Sequence, residues 1–367
     1  MKKLFTILAV AATLVSCAKE DVVREAAREA IGFDNAFVEN STRSVNDPSF
    51  SNTNLFANFG VFGTVEGAKL FDNTTVSGNA LNGTWSYEGT QYWITGAKYN
   101  FAAVAPQTVK VNDVDTPVYT NASFATTSTG ENAEKVYTGT TTLSFENNGT
   151  TDLLYAYATA EGKVSGNATV GFTFRHTLSK VKFSFENGYN ASNATIKVYD
   201  VKIENAYATA TATLGETSTA WANHAGTLAL EFGNASDAEA TTDVKESAEK
   251  AYAYGDTYES LNERFLIPGI APEVTYEVKD AEGKKSSVTT NAYKVTFKVD
   301  LLVNNTCVKT YEHTAYAPQF APVAGNSYDI KTVINANNID PENKQEPIQF
   351  TVTSIDGWDT TNEQQTM

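Results

Sequence analysis

Apolar and polar residues alternate with a period of two along most of the chain, and few stretches show the three-to-four spacing of a helix. Asn54–Gly67 sets Phe59, Val61 and Val65 on one face of a strand. Gly83–Trp93 reads as a hairpin, with Trp85 and Tyr87 before a turn at Glu88-Gly89 and Tyr92-Trp93 after it. Lys98–Pro106 alternates through Tyr99, Phe101, Ala103 and Ala105, and Thr141–Phe145 and Asp152–Tyr157 continue the series. In Val170–Phe185 the apolar set is Val170, Phe172, Phe174, His176 and Leu178, then Val181, Phe183 and Phe185 with opposite parity. A β-bulge, or a break between two strands at Ser179-Lys180, produces such a flip. Ile196–Ile203 turns Tyr199, Val201 and Ile203 inward, Ala206–Leu214 alternates Ala with Tyr or Thr, and Pro268 closes Phe265–Ile267. Tyr293, Val295, Phe297, Val299 and Leu301 form the cleanest alternation. Asp237–Gly255 is the exception, with helical spacing inside a loop. Short strands between Asn, Gly and Thr turns predict an all-β protein of β-sandwich type.

Two terminal strands stand out. In Ile31–Ser44, Ile31, Phe33 and Phe37 fall on one side of an extended chain that runs into a polar turn and stops at Arg43. We expect this strand, residues 31–43, to fill a groove in the folded precursor. Proteolysis between Arg43 and Ser44 would release it, and the groove would then accept a strand from another copy. At the far end, Ile348, Phe350 and Val352 alternate with polar residues after a break at Pro341–Pro347, and Trp358 follows a turn at Asp356-Gly357. The segment 345–367 is the candidate donor; pairing within its own domain is the alternative.

Composition narrows the class. The 367 residues are 41% hydrophobic and 19% charged, enough for two domains with real cores. Net charge is −16, and residues 1–43 carry as many acids as bases, so the remainder is equally acidic. Such a surface repels nucleic acid and anionic headgroups. There are two cysteines. Cys17 ends the targeting segment, which leaves no disulfide framework, and Cys307 beside strand positions reads as a small buried thiol.

Met1–Cys17 has a basic start at Lys2-Lys3 and an apolar run, Leu4–Leu14, too short to span a bilayer. Leu14-Val15-Ser16-Cys17 resembles the lipobox of bacterial lipoproteins, with residues 1–16 as signal peptide and Cys17 as the acylated residue; a plain secretory signal is the alternative. Lys19-Glu20-Asp21 looks like the surface-export signal of Bacteroides-type lipoproteins. Glu20–Ala30 has helical composition, and residues 17–30 read as a lipidated tether. Its Arg24 and Arg28 compete with Arg43 as protease targets.

Little suggests an enzyme or a cofactor. His176, His224 and His313 lack metal-ligand spacing, no nucleophile elbow or phosphate loop is present, and no carboxylate pair stands out. His176 reads as a hydrogen-bonded core histidine, and Arg175 as covering the solvent face of its strand. Trp85, Tyr87, Tyr92 and Trp93 could stack on sugars, although alternation favours core packing.

FRHTLSKVKFSF (Phe174–Phe185), preceded by DLLYA (Asp152–Ala156), resembles the fimbrillin family of Bacteroides-type bacteria, the lipoprotein precursors of type V pili. The lipobox, the IGFDNAF strand near an arginine, AGNSYDIKTVI (Ala324–Ile334) and TVTSIDGWD (Thr351–Asp359) extend the likeness over essentially the whole chain. The resemblance implies two tandem transthyretin-like β-sandwich domains, divided near Lys163–Asn167 into 31–167 and 168–367. It also implies a structural subunit delivered to the outer membrane through a lipid anchor, trimmed by an arginine-specific protease and assembled with other pilin subunits into a cell-surface fimbrium that supports adhesion to a host or bacterial ligand. The competing expectation is a non-polymerising surface lipoprotein, either glycan-binding or a fimbrial anchor or tip subunit.

Overall fold

A computed structural model describes residues 29–38, 56–79, 84–131, 135–162, 169–190, 193–233, 251, 253, 255–259, 262–279, 284–318, 320–342 and 347–355. Among the described residues the helices and strands are all strands. They are β1 (Phe33–Val38), β2 (Asn58–Val65), β3 (Ala68–Asn79), β4 (Thr84–Ser86), β5 (Lys98–Ala105), β6 (Thr108–Val111), β7 (Val114–Pro117), β8 (Tyr119–Thr129), β9 (Val136–Glu146), β10 (Leu154–Glu161) and β11 (Val170–His176). There follow β12 (Ser179–Asn187), β13 (Ala194–Ala206), β14 (Thr209–Gly215), β15 (Thr219–Ala225), β16 (Leu228–Glu231), β17 (Thr257–Glu259), β18 (Arg264–Leu266), β19 (Glu273–Lys279), β20 (Lys285–Val303), β21 (Thr306–Pro318), β22 (Ser327–Ile334) and β23 (Thr351–Ile355).

A seven-stranded sheet, ordered β1-β11-β10-β5-β2-β3-β4, has apolar side chains on both faces. One face carries Phe62, Ala102, Val104 and Tyr155, which pack on Leu143, Phe145, Ala210, Ala212 and Leu214 of the four-stranded sheet β15-β14-β9-β8. The other carries Phe59, Val61, Tyr99, Phe101, Phe172 and Phe174, covered by Ile31, Phe33, Trp85 and Trp93 from the sheet's own margins. The sheet curls until its edges meet: β1 touches β4, and Ala30 bridges Tyr92 just beyond β4. Both sides of β2 and β5 are therefore buried. The alternation seen in the sequence marks only one of their two apolar faces.

A second pair of sheets encloses another core. One is β17-β12-β22-β23, with β18 also on β12; the other is β16-β13-β20-β19, with β21 also on β20. Phe183, Phe185 and Ile330 pack there on Val198, Val201, Ile203, Val295, Phe297 and Val299. The phase flip at Ser179-Lys180 is the break between β11 and β12, which lie in different sheets.

Several expectations need correction. A cut at 167/168 does not divide the sheets, because β11, β14 and β15 complete sheets begun before it. After β13 the chain returns to pair β14 with β9 over Thr209–Gly215, where Ala210 and Ala212 are small enough to sit beneath the first core. In β13, Tyr199 does not face inward: Asp200 takes φ +53°, the register slips between Tyr199 and Lys202, and burial passes from Ile196 and Val198 to Val201 and Ile203. Among the described residues, 84–93 form no hairpin; β4 pairs with β3, while residues 91–93 face residues 29–31. Cys307 is exposed, since it follows the tight Asn304-Asn305 turn at the tip of β20–β21. The signal peptide, the 163–167 boundary, the core of the helical segment at 234–250 and Trp358 lie outside the described residues.

Candidate functional site

Residues 29–38 lie along the seam where the curled sheet meets itself. On one side Ile31 N–H donates to Gln91 O (2.8 Å) and Trp93 N–H donates to Glu29 O (3.0 Å). Glu29 and Ala30 thus belong to the folded body and not to the tether. On the other side β1 runs parallel to β11, Phe33 beside Val170, and Val170 N–H donates to Gly32 O (2.8 Å). Gly32 is where the segment changes partner. A Cβ there would stand 2.9 Å from Thr169 Cγ2, so glycine permits the close approach. Thr169 Oγ1 donates to Asp34 Oδ2 (2.9 Å). Tyr87 Oη donates to Ile31 O (2.7 Å) and accepts from Gln91 N–H (3.2 Å). Burial raises the Tyr87 pKa against the opposing effect of the Gln91 bond, which keeps the phenol protonated as a donor.

Beneath this backbone Ile31 is 2% exposed and Phe33 is 3% exposed. The Phe33 ring lies within 5.4–6.3 Å, centroid to centroid, of Phe59, Phe71, Tyr87, Phe101 and Phe172. Four contacts are edge-on and the fifth, with Phe172, is stacked, the arrangements that aromatic quadrupoles favour. The alternation from Ile31 to Phe37 is interrupted. Between Asp34 and Phe37 β1 advances three residues while β11 advances two, so Phe37 stands opposite Thr173 and Val38 opposite Phe174. The extra residue shifts the phase; the side chain of Phe37 is outside the description.

The C-terminal candidate strand sits in its own chain. Ile348 is buried in the second core, Phe350 packs at its margin 6.0 Å from Phe183, and Val352 pairs with Ile330. Thr332 Oγ1 donates to Gln349 O (2.7 Å). β23 ends its sheet, with β22 as its strand partner among the described residues. Cys17, Arg43 and Ser44 lie outside them.

A profile described as fimbrillin-like matches residues 42–354. The chain belongs to the fimbrillin-like family. Among solved structures, a fimbrial protein from Bacteroides vulgatus is 17% identical, covers 90% of this chain and 99% of its own, and superposes with a TM-score of 0.53, which shows a shared fold. A fimbrial assembly protein from Parabacteroides distasonis is 11% identical, with coverage of 88% and 99% and a TM-score of 0.37. Curated proteins gave no match.

The other side chains singled out in this fimbrillin-like sequence serve its packing. His176 is buried, with Nδ1 bonded to the Asp152 carboxylate. The Arg175 guanidinium donates to the carbonyls of Gly215, Glu216 and Ser218 (2.7–2.9 Å) and lies 5.0 Å from the Tyr155 ring centroid, so it ties β11 to the β14–β15 turn. His224 Nε2 meets Pro268 O at 2.8 Å, and His313 stacks on Phe297. The three histidines are thus apart, and no cluster among the described residues suits a metal ion. Trp85, Tyr87 and Trp93 pack into the first core, leaving Tyr92 exposed. Sequence reasoning missed the slot's walls, Tyr87, Gln91 and Thr169. Only Gly32, between two buried apolar residues, carried a hint of them.

Proposed function

We propose that this chain is the precursor of a pilin subunit of type V fimbriae. Cys17 carries the lipid that holds the precursor at the outer membrane. An arginine-specific protease cuts between Arg43 and Ser44, and residues 29–38 leave the seam. A strand from another subunit replaces them, and repetition builds an adhesive fibre on the cell surface.

One observation carries this reading. A short segment closes the curled sheet with two fully buried apolar side chains and a few backbone hydrogen bonds, and it ends just before the candidate cleavage site. Burying Ile31 and Phe33 stabilises the precursor by about 1.5–3 kcal/mol each. That is enough to hold a tethered strand, whose effective concentration is high, and little enough to be exchanged once the tether is cut. An emptied seam would expose strand edges and the aromatic pocket, which favours capture of a new strand. Ile348-Gln349-Phe350 repeats the Ile-x-Phe spacing of Ile31-Gly32-Phe33, which supports 345–367 as donor. Head-to-tail donation does not close on itself, so it yields a filament.

Mass spectrometry of the surface protein tests the scheme: the mature chain begins at Ser44, and Arg43→Ala leaves a lipidated monomer. Normal polymer from Arg43→Ala would reassign the cut. A chain ending at Pro347 is expected not to polymerise. A second reading, an anchor or tip subunit that keeps its lipid, is favoured by the seating of Ile348 and Phe350 in their own core. It predicts an acylated Cys17 at the mature N-terminus.

A further inference from the structure

The outer face of the β12–β22–β23 sheet holds a cleft of about 370 Å³, within the size range of small-molecule sites. Ser184 and Glu186 line it from β12, Lys331 and Val333 from β22, and Gln349 and Thr351 from the chain entering β23. Its chemistry is mixed. Ser184 is 2% exposed, and its hydroxyl has no hydrogen-bond partner. A buried hydroxyl in that state is unfavourable, and such a group calls for a ligand or water to complete it.

Other polar groups at the cleft are already used. Thr332 Oγ1 donates to Gln349 O, Asn338 Nδ2 donates to Val333 O, and Asn338 Oδ1 accepts from Asn335 N–H. The Glu186 carboxylate, the Gln349 amide and the hydroxyls of Ser184 and Thr351 also line the cleft, beside the Lys331 ammonium. Glu186 and Lys331 place one acid and one base in the lining, and Lys331 is also paired with Asp329 (3.2 Å), so the cleft has no excess positive charge with which to hold an anion. It offers donors and acceptors side by side, and Val333, 41% exposed, adds a small apolar patch. That combination fits a ring bearing hydroxyls on its edge and C–H groups on its face. Among the described residues no aromatic ring lines the cleft, which keeps affinity low.

We propose that this cleft binds a small neutral polyhydroxyl ligand, a mono- or disaccharide, and that the bound ligand holds residues 347–351 in their own sheet. The binding half is independent of the pilin reading. Its effect on assembly rests on that reading, because the same residues are the candidate donor.

The test is saturation-transfer NMR and calorimetry on the full chain, with glucose, galactose, N-acetylglucosamine, lactose and maltose as probes. At least one is expected to bind saturably with Kd on the order of 1 mM. Ser184→Ala should weaken that binding about tenfold while leaving the unliganded fold as stable or more so, because it removes an unpartnered buried hydroxyl. A purely structural serine would behave the opposite way. Absence of saturable binding by every probe, or binding unchanged in Ser184→Ala, overturns the proposal. A chain ending at Pro347 should lose binding, and retention would show that residues 348–351 are no part of the site. Sugar at ten times its Kd should slow assembly of the cleaved chain about tenfold. If the cleaved wild-type chain fails to assemble without sugar, the strand-exchange reading falls and the binding results stand. If it assembles at the same rate with and without bound sugar, the coupling is refuted.

Discussion

Phe33→Ala tests whether the N-terminal segment is a plug or an ornament. The ring is 3% exposed and meets five aromatic neighbours. Withdrawing it forfeits its transfer free energy and leaves a cavity walled by Phe59, Phe71, Phe101 and Phe172, rings that their own strands hold in place. Truncations of this kind cost about 3–5 kcal/mol. The lower end is expected here, because β1 is an edge strand and can shift toward the gap. Phe33→Leu keeps most of the apolar volume and should cost less than about 1.5 kcal/mol. Val136→Ala, at a residue 57% exposed, is the control and should stay within about 0.5 kcal/mol. The assay is urea unfolding followed by tryptophan fluorescence. Trp85 and Trp93 pack in the cluster that contains Phe33, whereas Trp221 packs in the neighbouring one, so the signal weights the relevant core. A shift of midpoint at constant slope reads as a change in stability. Should Phe33→Ala change stability by less than about 1 kcal/mol, the slot contributes nothing that a donor strand could restore.

Two further outcomes follow from the same packing. Arg175→Ala removes three charge-assisted bonds to the β14–β15 turn and should destabilise the fold by about 2–3 kcal/mol, with Arg175→Lys recovering only part, as denaturant midpoints would register. Burial, eased by the Thr141 hydrogen bond and the Arg175 charge, pushes the Tyr155 phenol up to about 12 from its ordinary 10.0. The unfolded chain therefore releases this proton first, so stability holds below pH 10 and falls by about 3 kcal/mol as pH rises through the folded value. Tyr155→Phe should flatten that alkaline limb of the stability curve, and a limb of unchanged slope would place the loss elsewhere.

Strand content was legible wherever one face alone is buried or the alternation is unbroken, as in Tyr293–Leu301 and in Ile31 and Phe33. The rest depends on partners far away in the chain. Nothing local says that residues 91–93 turn from their own neighbours to pair sixty residues upstream, because Glu88-Gly89 is as good a turn for a hairpin as for a loop. Nothing local says that Thr209–Gly215 belongs with β9; its small alanines fit either core. Asp200 at positive φ broke the alternation silently, since aspartate tolerates that conformation without a glycine to mark it. The seam was half legible. Its apolar plug showed in the spacing, but its walls are a tyrosine hydroxyl, a threonine and a loop carbonyl, which no periodicity reports.

The interleaving of the two pairs of sheets has a mechanical meaning. The chain passes between them at β11–β12, β13–β14 and β15–β16, and in β18 Phe265 faces one core while Leu266 faces the other. In a fibre, tension would enter one subunit at the seam of the first body and leave by the last strand of the second. Several covalent crossings would carry that pull in parallel, where beads on a string would concentrate it in one hinge, so stretching should shear whole sheets before it separates the halves.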